Sequence, residues 1–350
     1  MVTMRDRATL ATIAATAGVS VSTVSKVVNG RRDVAPATRL RIQQVLDELA
    51  YVPRRGESPQ TSRVALLFHG PLMTYSLEIL DGVVTAANEA GVDVVVARTD
   101  IAPHRAAQLI RERAVNDWQA VIAITTAASE LSVLSRAHVP TVVIDPIGAP
   151  QADVISVGST NFAGGLTATQ HLLDLGHRRI AYIGGTASAA CNQARLQGFR
   201  GAMEAAGASI PKGYERNGEF RYEDGLAEGT ALLDLPVPPT GIFSANDEMA
   251  LGILEAARAR GIRVPQDLSI VGFDDTEVAR VSAPPLTTVA QPLRRMGTVA
   301  LRTALRLAAG DRVDSHHVEL ATELIVRGST VPPPMKLTAA GNSRRRTRTA

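Results

Sequence analysis

Acids, amides and one arginine recur in this chain at one kind of position, directly behind short apolar runs. Asp145 follows PTVVI, Thr160 and Asn161 come after VISVG, Asn246 and Asp247 follow TGIFSA, and Asp274 and Asp275 follow LSIVGF. Arg195 and Gln291 add a cation and a further amide. Turned toward one cleft, such groups make many directed hydrogen bonds, which is how a polyhydroxylated ligand is recognised. Phe220, in GEFRYEDG, and Tyr75, just behind the first apolar run, can lay ring faces on the axial C–H groups of a pyranose. Asp and Asn behind strands also cap helices, and for Asn246 and Asp247 that role stands beside ligand contact.

A second set of polar side chains lies near the N-terminus, between Thr9 and Tyr51. In TLATIAATAGV the apolar residues Leu10, Ile13, Ala14 and Ala17 keep the spacing of a helix with one buried face. Thr9 suits its N-cap, and Gly18 can take the left-handed conformation that ends it. Ser20 caps the next helix, whose buried stripe is Val21 or Val24 with Val27 and Val28. The rest of that helix, Ser22, Thr23, Ser25, Lys26 and Asn29, is short, polar and carries one cation and no acid. A third helix opens at Pro36 and is expected to bury Ile42, Val45, Leu46 and Leu49. Helix, glycine turn and a second helix with a hydrogen-bonding outer face are the parts of a helix-turn-helix, whose second helix enters the major groove of DNA.

The elements that must position the first set follow from Arg63 onward. Apolar runs at 64–69, 92–97, 120–125, 140–145, 154–158, 179–185, 240–245 and 268–274 alternate with helical patterns at 76–90, 162–175, 191–207, 223–234 and 246–260. Continuous apolar strands separated by helices indicate parallel sheets covered on both faces, and this many strands fit two doubly wound lobes better than one. In such open sheets ligands bind beyond the carboxyl ends of the strands, where the polar residues stand.

Charge is unevenly spread. Residues 1–62 hold nine Arg/Lys against five Asp/Glu, the final twenty hold five basic residues and no acid, and the middle carries a net −6. A basic head on an acidic body suits phosphate contact at one end. The tail GNSRRRTRTA has no apolar periodicity and is expected to be disordered. The 350 residues, 45% hydrophobic, leave room for a small head and one or two full domains. No apolar run reaches the roughly 18 residues of a membrane span, and MVTMRDRATL lacks a secretory apolar stretch. The single cysteine, Cys191, excludes internal disulfides and thiolate zinc sites, so a cytoplasmic location is expected. His316 and His317 are adjacent in a strand-like segment and point to opposite faces, so no metal and no cofactor is expected.

AGVSVSTVSKVVNG followed by TRLRIQQVLDELAYVP resembles the headpiece of the LacI/GalR family of bacterial transcription regulators. ISVGSTNFAGG, HLLDLGHRRIAYIGG, ARLQGF, FSANDEMALG, GIRVPQDLSIVGFDDTEVAR and PPLTTVAQP are similar to the successive motifs of that family's core, itself similar to periplasmic sugar-binding proteins. The resemblance covers about residues 8–330. It implies an all-α helix-turn-helix headpiece at 8–53, a linker at 54–62, a periplasmic-binding-protein-like core of two doubly wound parallel-sheet lobes at 63–330, and a basic tail at 331–350. It implies an effector site of Asp145, Asn161, Arg195, Phe220, Asn246, Asp274 and Gln291, to which the aromatic argument adds Tyr75. It places Val21, Ser22 and Lys26 at base-reading positions, with Ser20, Thr23, Ser25 and Asn29 nearer phosphates; Thr9, the N-cap of the first helix, is also expected to contact DNA. Val21 can meet a thymine methyl, and Lys26 can donate to guanine O6 and N7.

One segment departs from the family. Relatives continue past Tyr51 and Pro53 with an Ala-Arg-x-Leu hinge helix that wedges a leucine into the minor groove; here the chain reads RRGESPQTSR. Gly56 and Pro59 oppose a helix and the wedge is missing, so a flexible tether with weaker coupling is expected. Arg54 and Arg55 can still reach a narrow minor groove electrostatically. A head this small needs a partner, so a homodimer on a pseudo-palindromic operator is expected; no leucine-heptad extension favours a tetramer. The function expected is a DNA-binding repressor of carbohydrate-utilisation genes under a small sugar effector. Its alternatives are a corepressor-dependent regulator answering to a purine or nucleoside, and a sugar-binding transport receptor. An enzyme is not expected, for the chain has neither a G-x-S-x-G elbow nor a G-x-x-x-x-G-K-[ST] loop.

Overall fold

The computed structural model describes residues 9–28, 31, 34–49, 51, 62–99, 118–125, 139–148 and 154–334. Asn29, Arg54, Arg55, the segment 52–61 and the tail beyond 334 lie outside the described residues.

The head is built from α1 (Leu10–Ala17), α2 (Val21–Val28) and α3 (Pro36–Glu48). Thr9 Oγ1 accepts from the Thr12 amide at 3.2 Å, Gly18 stands at φ 63° and ends α1, and Ser20 Oγ accepts from the Thr23 amide at 3.2 Å. The α1 and α2 axes turn by 107°, within the range of about 90–120° for a helix-turn-helix. Ile13, Ala14, Ala17, Val24, Val27, Ile42 and Val45 form the core. Val24 takes the inner position and Val21 is 47% exposed, which settles the choice between them. Leu46 is only half-buried, and Leu49 is exposed because it stands past the last turn of α3, as its C-cap.

The body is two open sheets. In the first lobe β1 (Arg63–Phe68), β2 (Asp93–Arg98), β3 (Trp118–Ile124), β4 (Thr141–Ile144), β5 (Ile155–Ser159) and β11 (His317–Leu320) run in the order β11-β5-β4-β3-β1-β2, all parallel. In the second, β6 (Ile180–Gly184), β7 (Glu215–Asn217), β8 (Gly241–Ser244), β9 (Ser269–Asp274), β10 (Thr287–Ala290) and β12 (Glu323–Ile325) run β12-β10-β9-β8-β6-β7, with β12 antiparallel. Helix α4 (Thr74–Ala90) and α10 (Leu293–Ala308) cover the first sheet. The pairs α5 (Asn161–Asp174) with α6 (Ala190–Ala205), and α7 (Tyr222–Leu233) with α8 (Asp247–Arg258), cover the two faces of the second, and a short α9 (Glu277–Val281) follows β9.

The expected strands and helices lie within a residue or two of these bounds, the ordinary uncertainty of element ends. Not anticipated were β7, β10 and β12, each of three or four residues, and α9 and α10. The sequence of α10, LRRMGTVALRTALRLA, is rich in arginine, yet Leu293, Met296, Ala300, Leu301 and Ala304 fall on one buried stripe.

The chain passes between lobes after β5, after β10 and after β11. The three crossings are tied together: the Thr160 amide donates to Leu320 O at 3.0 Å, the Thr322 amide donates to Thr160 Oγ1 at 3.0 Å, and Ser159 Oγ donates to Gln291 Oε1.

Candidate functional site

Each sheet reverses strand order once, between β1 and β3 in the first lobe and between β6 and β8 in the second. Crevices open at such switch points. Here the two face each other across a cavity of about 460 Å³, lined by His69, Tyr75, Thr125 and Asp145 from the first lobe and Thr186, Arg195, Phe220, Asn246 and Asp274 from the second, among others.

Six of the eight expected effector residues line this cavity: Tyr75, Asp145, Arg195, Phe220, Asn246 and Asp274. Asn161 and Gln291 stand behind it. Asn161 Oδ1 accepts from Arg195 Nε at 2.8 Å, and Gln291 Nε2 donates to Asp274 Oδ1 at 2.6 Å, so both orient groups that face the cavity. Arg195, 3% exposed, also donates to Ala245 O at 2.6 Å, lies 3.8 Å from Asp274 Oδ1 and stacks 3.8 Å above the Phe273 ring. That position depends on a close approach of α5 and α6: a Cβ on Gly165 would stand 2.3 Å from Arg195 O, and one on Gly198 would stand 2.3 Å from Phe162 O. The Tyr75 hydroxyl donates to Asp145 Oδ2.

Asn246 holds both of its possible roles. Its Oδ1 accepts from the Met249 amide at 2.9 Å and caps α8, while its Nδ2 donates to Phe220 O at 2.9 Å at the cavity wall. Asp247 does neither: it accepts from the Thr276 amide at 2.9 Å and from Thr288 Oγ1 at 2.6 Å, binding α8 to the N-cap of α9 and to β10. Phe220 presses its ring on Gly185, where a Cβ would lie 2.2 Å from it.

Backbone strain gathers here. Among the described residues the non-glycine positions with positive φ are Thr125, Asp145, Phe220, Asp274 and Asp275; the first four line the cavity and the fifth adjoins it. Such conformations cost about 1–3 kcal/mol each and persist where surrounding contacts over-determine them, often at ligand sites. Burial also shapes the electrostatics. It pushes the Asp145 and Asp274 carboxyls upward, against the lowering pull of the Tyr75 hydrogen bond and Arg195 on the first and of Arg195 on the second. It raises Tyr75 and takes the Cys191 thiol up to about 11, so the thiol stays protonated.

Thr74, Cys191, Glu219 and Glu248, none of them expected at the site, also line the cavity. Glu248 sits two residues past Asn246, close to an expected site position; Thr74 carries no local signal, since its partner comes from the other lobe. The described residues hold no cluster of three or more His, Cys, Asp or Glu able to hold a metal.

On the head, Thr9, Ser20, Val21, Ser22 and Lys26 are exposed, and Thr23 and Ser25 half-buried. Ser20 Oγ lies 2.8 Å from Ser22 Oγ and 2.7 Å from Thr23 Oγ1, which orders hydroxyls at the start of α2. Among the described residues no single helix is long and apolar enough to cross a membrane, and the apolar side of the bent pair α1 and α2 is the head's core.

A helix-turn-helix head on a two-lobed body with a ligand cavity defines a DNA-binding regulator. Residues 9–54 match the model of the bacterial regulatory proteins of the lacI family, and residues 169–330 match that of the periplasmic binding protein-like domain. The HTH-type transcriptional regulator DegA of Bacillus subtilis (strain 168) is 35% identical over 335 residues, covering 93% of this chain and 99% of its own. The CelR–cellobiose complex superposes with a TM-score of 0.72 at 35% identity, covering 92% of this chain and all of that one. The Lac repressor dimer bound to operator and the anti-inducer ONPF superposes at 0.81 with 27% identity, covering 93% of this chain and all of that one. The chain belongs to the lacI family of bacterial regulatory proteins.

Proposed function

We propose that this protein is a cytoplasmic transcriptional repressor that binds a pseudo-palindromic operator as a homodimer and releases or tightens its grip when a small sugar enters the interlobe cavity. The observation that carries the sugar reading is the wall of the cavity: the carboxyls of Asp145 and Asp274 and the amide of Asn246, held by Tyr75, Gln291 and the helix α8 cap, beside the half-buried Phe220 ring. Fixed acceptors next to an aromatic face suit ring hydroxyls and C–H groups together. The CelR–cellobiose complex, 35% identical to this chain, supports the same class. Exposed Leu77 and Val84 on α4 and Val281 on α9 support a dimer, since they offer apolar surface to a second copy. The effector set is Tyr75, Asp145, Arg195, Phe220, Asn246 and Asp274, with Asn161 and Gln291 as positioning residues. The DNA set is Thr9, Ser20, Val21, Ser22, Thr23, Ser25 and Lys26, with Asn29 by resemblance and Arg54 and Arg55 by their charge. The domain limits proposed are 8–53, 54–62, 63–330 and 331–350. The reading is of binding without turnover.

A thermal-shift screen of the full chain against mono- and oligosaccharides, purines and nucleosides tests it, followed by operator binding by fluorescence anisotropy. A ligand at about a hundred times its Kd adds roughly 2.7 kcal/mol, a shift of several degrees. Sugar hits that also change operator affinity are expected. Hits confined to purines or nucleosides would replace the sugar with that class, and release of product from a bound glycoside would replace binding with catalysis.

A further inference from the structure

Resting on the proposal that the cavity binds a sugar, we infer that it takes uncharged, non-phosphorylated sugars, and that Glu248 excludes anions by standing where a phosphate would bind. Helix α4 begins at the cavity with Thr74 and runs for 17 residues. The N-terminus of a helix of that length attracts anions through its free amides and its dipole. Its own segment supplies no cap: Met73 precedes it, no side chain caps it and its first turn holds no acid. The anion comes from the opposite lobe. Glu248 Oε1 accepts from the Thr74 amide at 3.2 Å and from Thr74 Oγ1 at 2.7 Å. The carboxylate that fills this position therefore also ties one lobe to the other.

Two other helix starts at the cavity carry side-chain acceptors from their own segments. Asp224 Oδ2 accepts from the amides of Glu219 at 2.7 Å and Arg221 at 3.2 Å at the start of α7, and Asn246 caps α8. Helix α6 also starts at the cavity without a side-chain cap, but no uncommitted cation accompanies it. Arg195, five residues further on, already serves Asn161, Ala245 O and Asp274. Arg221, the other arginine of the lining, has a side chain 57% exposed and sits 3.6 Å from Asp224. A phosphate entering here meets Glu219 and Glu248 as well as the Asp145 and Asp274 carboxyls, which burial pushes toward the protonated form, and Arg221, already beside Asp224, is the one guanidinium of the lining outside the Arg195 network, short of the bidentate clamp that phosphate recognition favours. Sugar hydroxyls donate to those same acceptors without repulsion.

The test uses the full-length protein and matched pairs: glucose with glucose 6-phosphate, ribose with ribose 5-phosphate, and cellobiose with its 6-phosphate, titrated by calorimetry. The uncharged member of any pair that binds is expected to bind at least tenfold more tightly, about 1.4 kcal/mol. A phosphorylated member that binds as well as its parent overturns the inference. A second arm does not depend on finding the effector. Thermal shifts in inorganic phosphate, against chloride at equal ionic strength, are compared between wild type and Glu248→Lys, with Glu248→Ala as the variant that bares the α4 amides without adding charge. Taking the difference removes phosphate binding by the head. Both variants are expected to gain phosphate-dependent stabilisation over wild type, Glu248→Lys the more; no gain in either overturns the role of Glu248. If no sugar in either form binds, the sugar reading of the site fails, and the phosphate difference alone decides whether Glu248 fills an anion position.

Discussion

Asp274 shows what burial does to an acid at a strand end. It is 5% exposed, its carboxyl is raised from the ordinary 3.8 chiefly by burial, and Gln291 and Arg195 hold it in place. With a folded pKa above the unfolded one, the native state keeps a proton that the unfolded chain has lost. Stability therefore falls as pH climbs from the ordinary carboxylate range toward the raised value. Asp274→Asn should flatten that slope, read as denaturation midpoint against pH, while abolishing sugar-induced thermal shifts; an unchanged slope would mean the carboxyl is ionised throughout. Arg195→Gln leaves the buried acceptors Asn161 Oδ1 and Ala245 O without their charged donor and should cost about 1–3 kcal/mol in urea unfolding, the scale for a buried polar group left unpaired. Of the candidate residues, Asp145, Asn246 and Asp274 were legible because each directly follows an apolar run. That Asn161 and Gln291 stand behind the wall was not legible, since both also follow strands and only side-chain direction separates the two cases.

At the scale of elements, α2 is the proposed reading surface of the head. Lys26→Ala should lose about 1–3 kcal/mol on the cognate operator with relaxed base preference if it serves guanine, whereas Ser25→Ala should weaken all sequences about equally. Anisotropy on matched and single-substituted operators separates these outcomes. The turn and the helix pairs make a complementary test of two glycines. Gly18 has open space around it and φ 63°, so Gly18→Ala should cost only the left-handed penalty, about 1–2 kcal/mol. Gly198→Ala must instead push Phe162 O away and part α5 from α6, so it should cost more and also impair ligand binding through Arg195. Thermal melts with and without ligand check both. Elements with long apolar runs or strict helical spacing were readable; β7, β10 and β12 were too short to show a period, and the arginines of α10 obscured its stripe.

For the whole molecule, the lobes and the head must share one equilibrium if ligand is to control DNA. The Thr74–Glu248 bonds and the tied crossings at Thr160, Gln291 and Thr322 are where lobe orientation is held. Coupling between two sites is reciprocal, and about 5–150-fold is ordinary. Operator affinity with and without effector, and effector affinity with and without operator, should therefore change by the same factor; unequal factors would mean that a further state, such as a change in assembly, intervenes. The departure of RRGESPQTSR from its relatives places the expected factor at the low end of that range.

The sequence alone determined the class of each part, because local periodicity and capping are properties of neighbouring residues: a helix-turn-helix head with Thr9 and Ser20 as caps, then apolar strands alternating with helices, with polar groups at strand ends. Tertiary structure decided what depends on partners far along the chain. Asp247 turned out to be bound by Thr276 and Thr288, Asn246 to cap and line at once, and Thr74 to be capped from the opposite lobe by Glu248. The two partners in that last contact are 174 residues apart, and no spacing rule relates residues that only the closure of two lobes brings together.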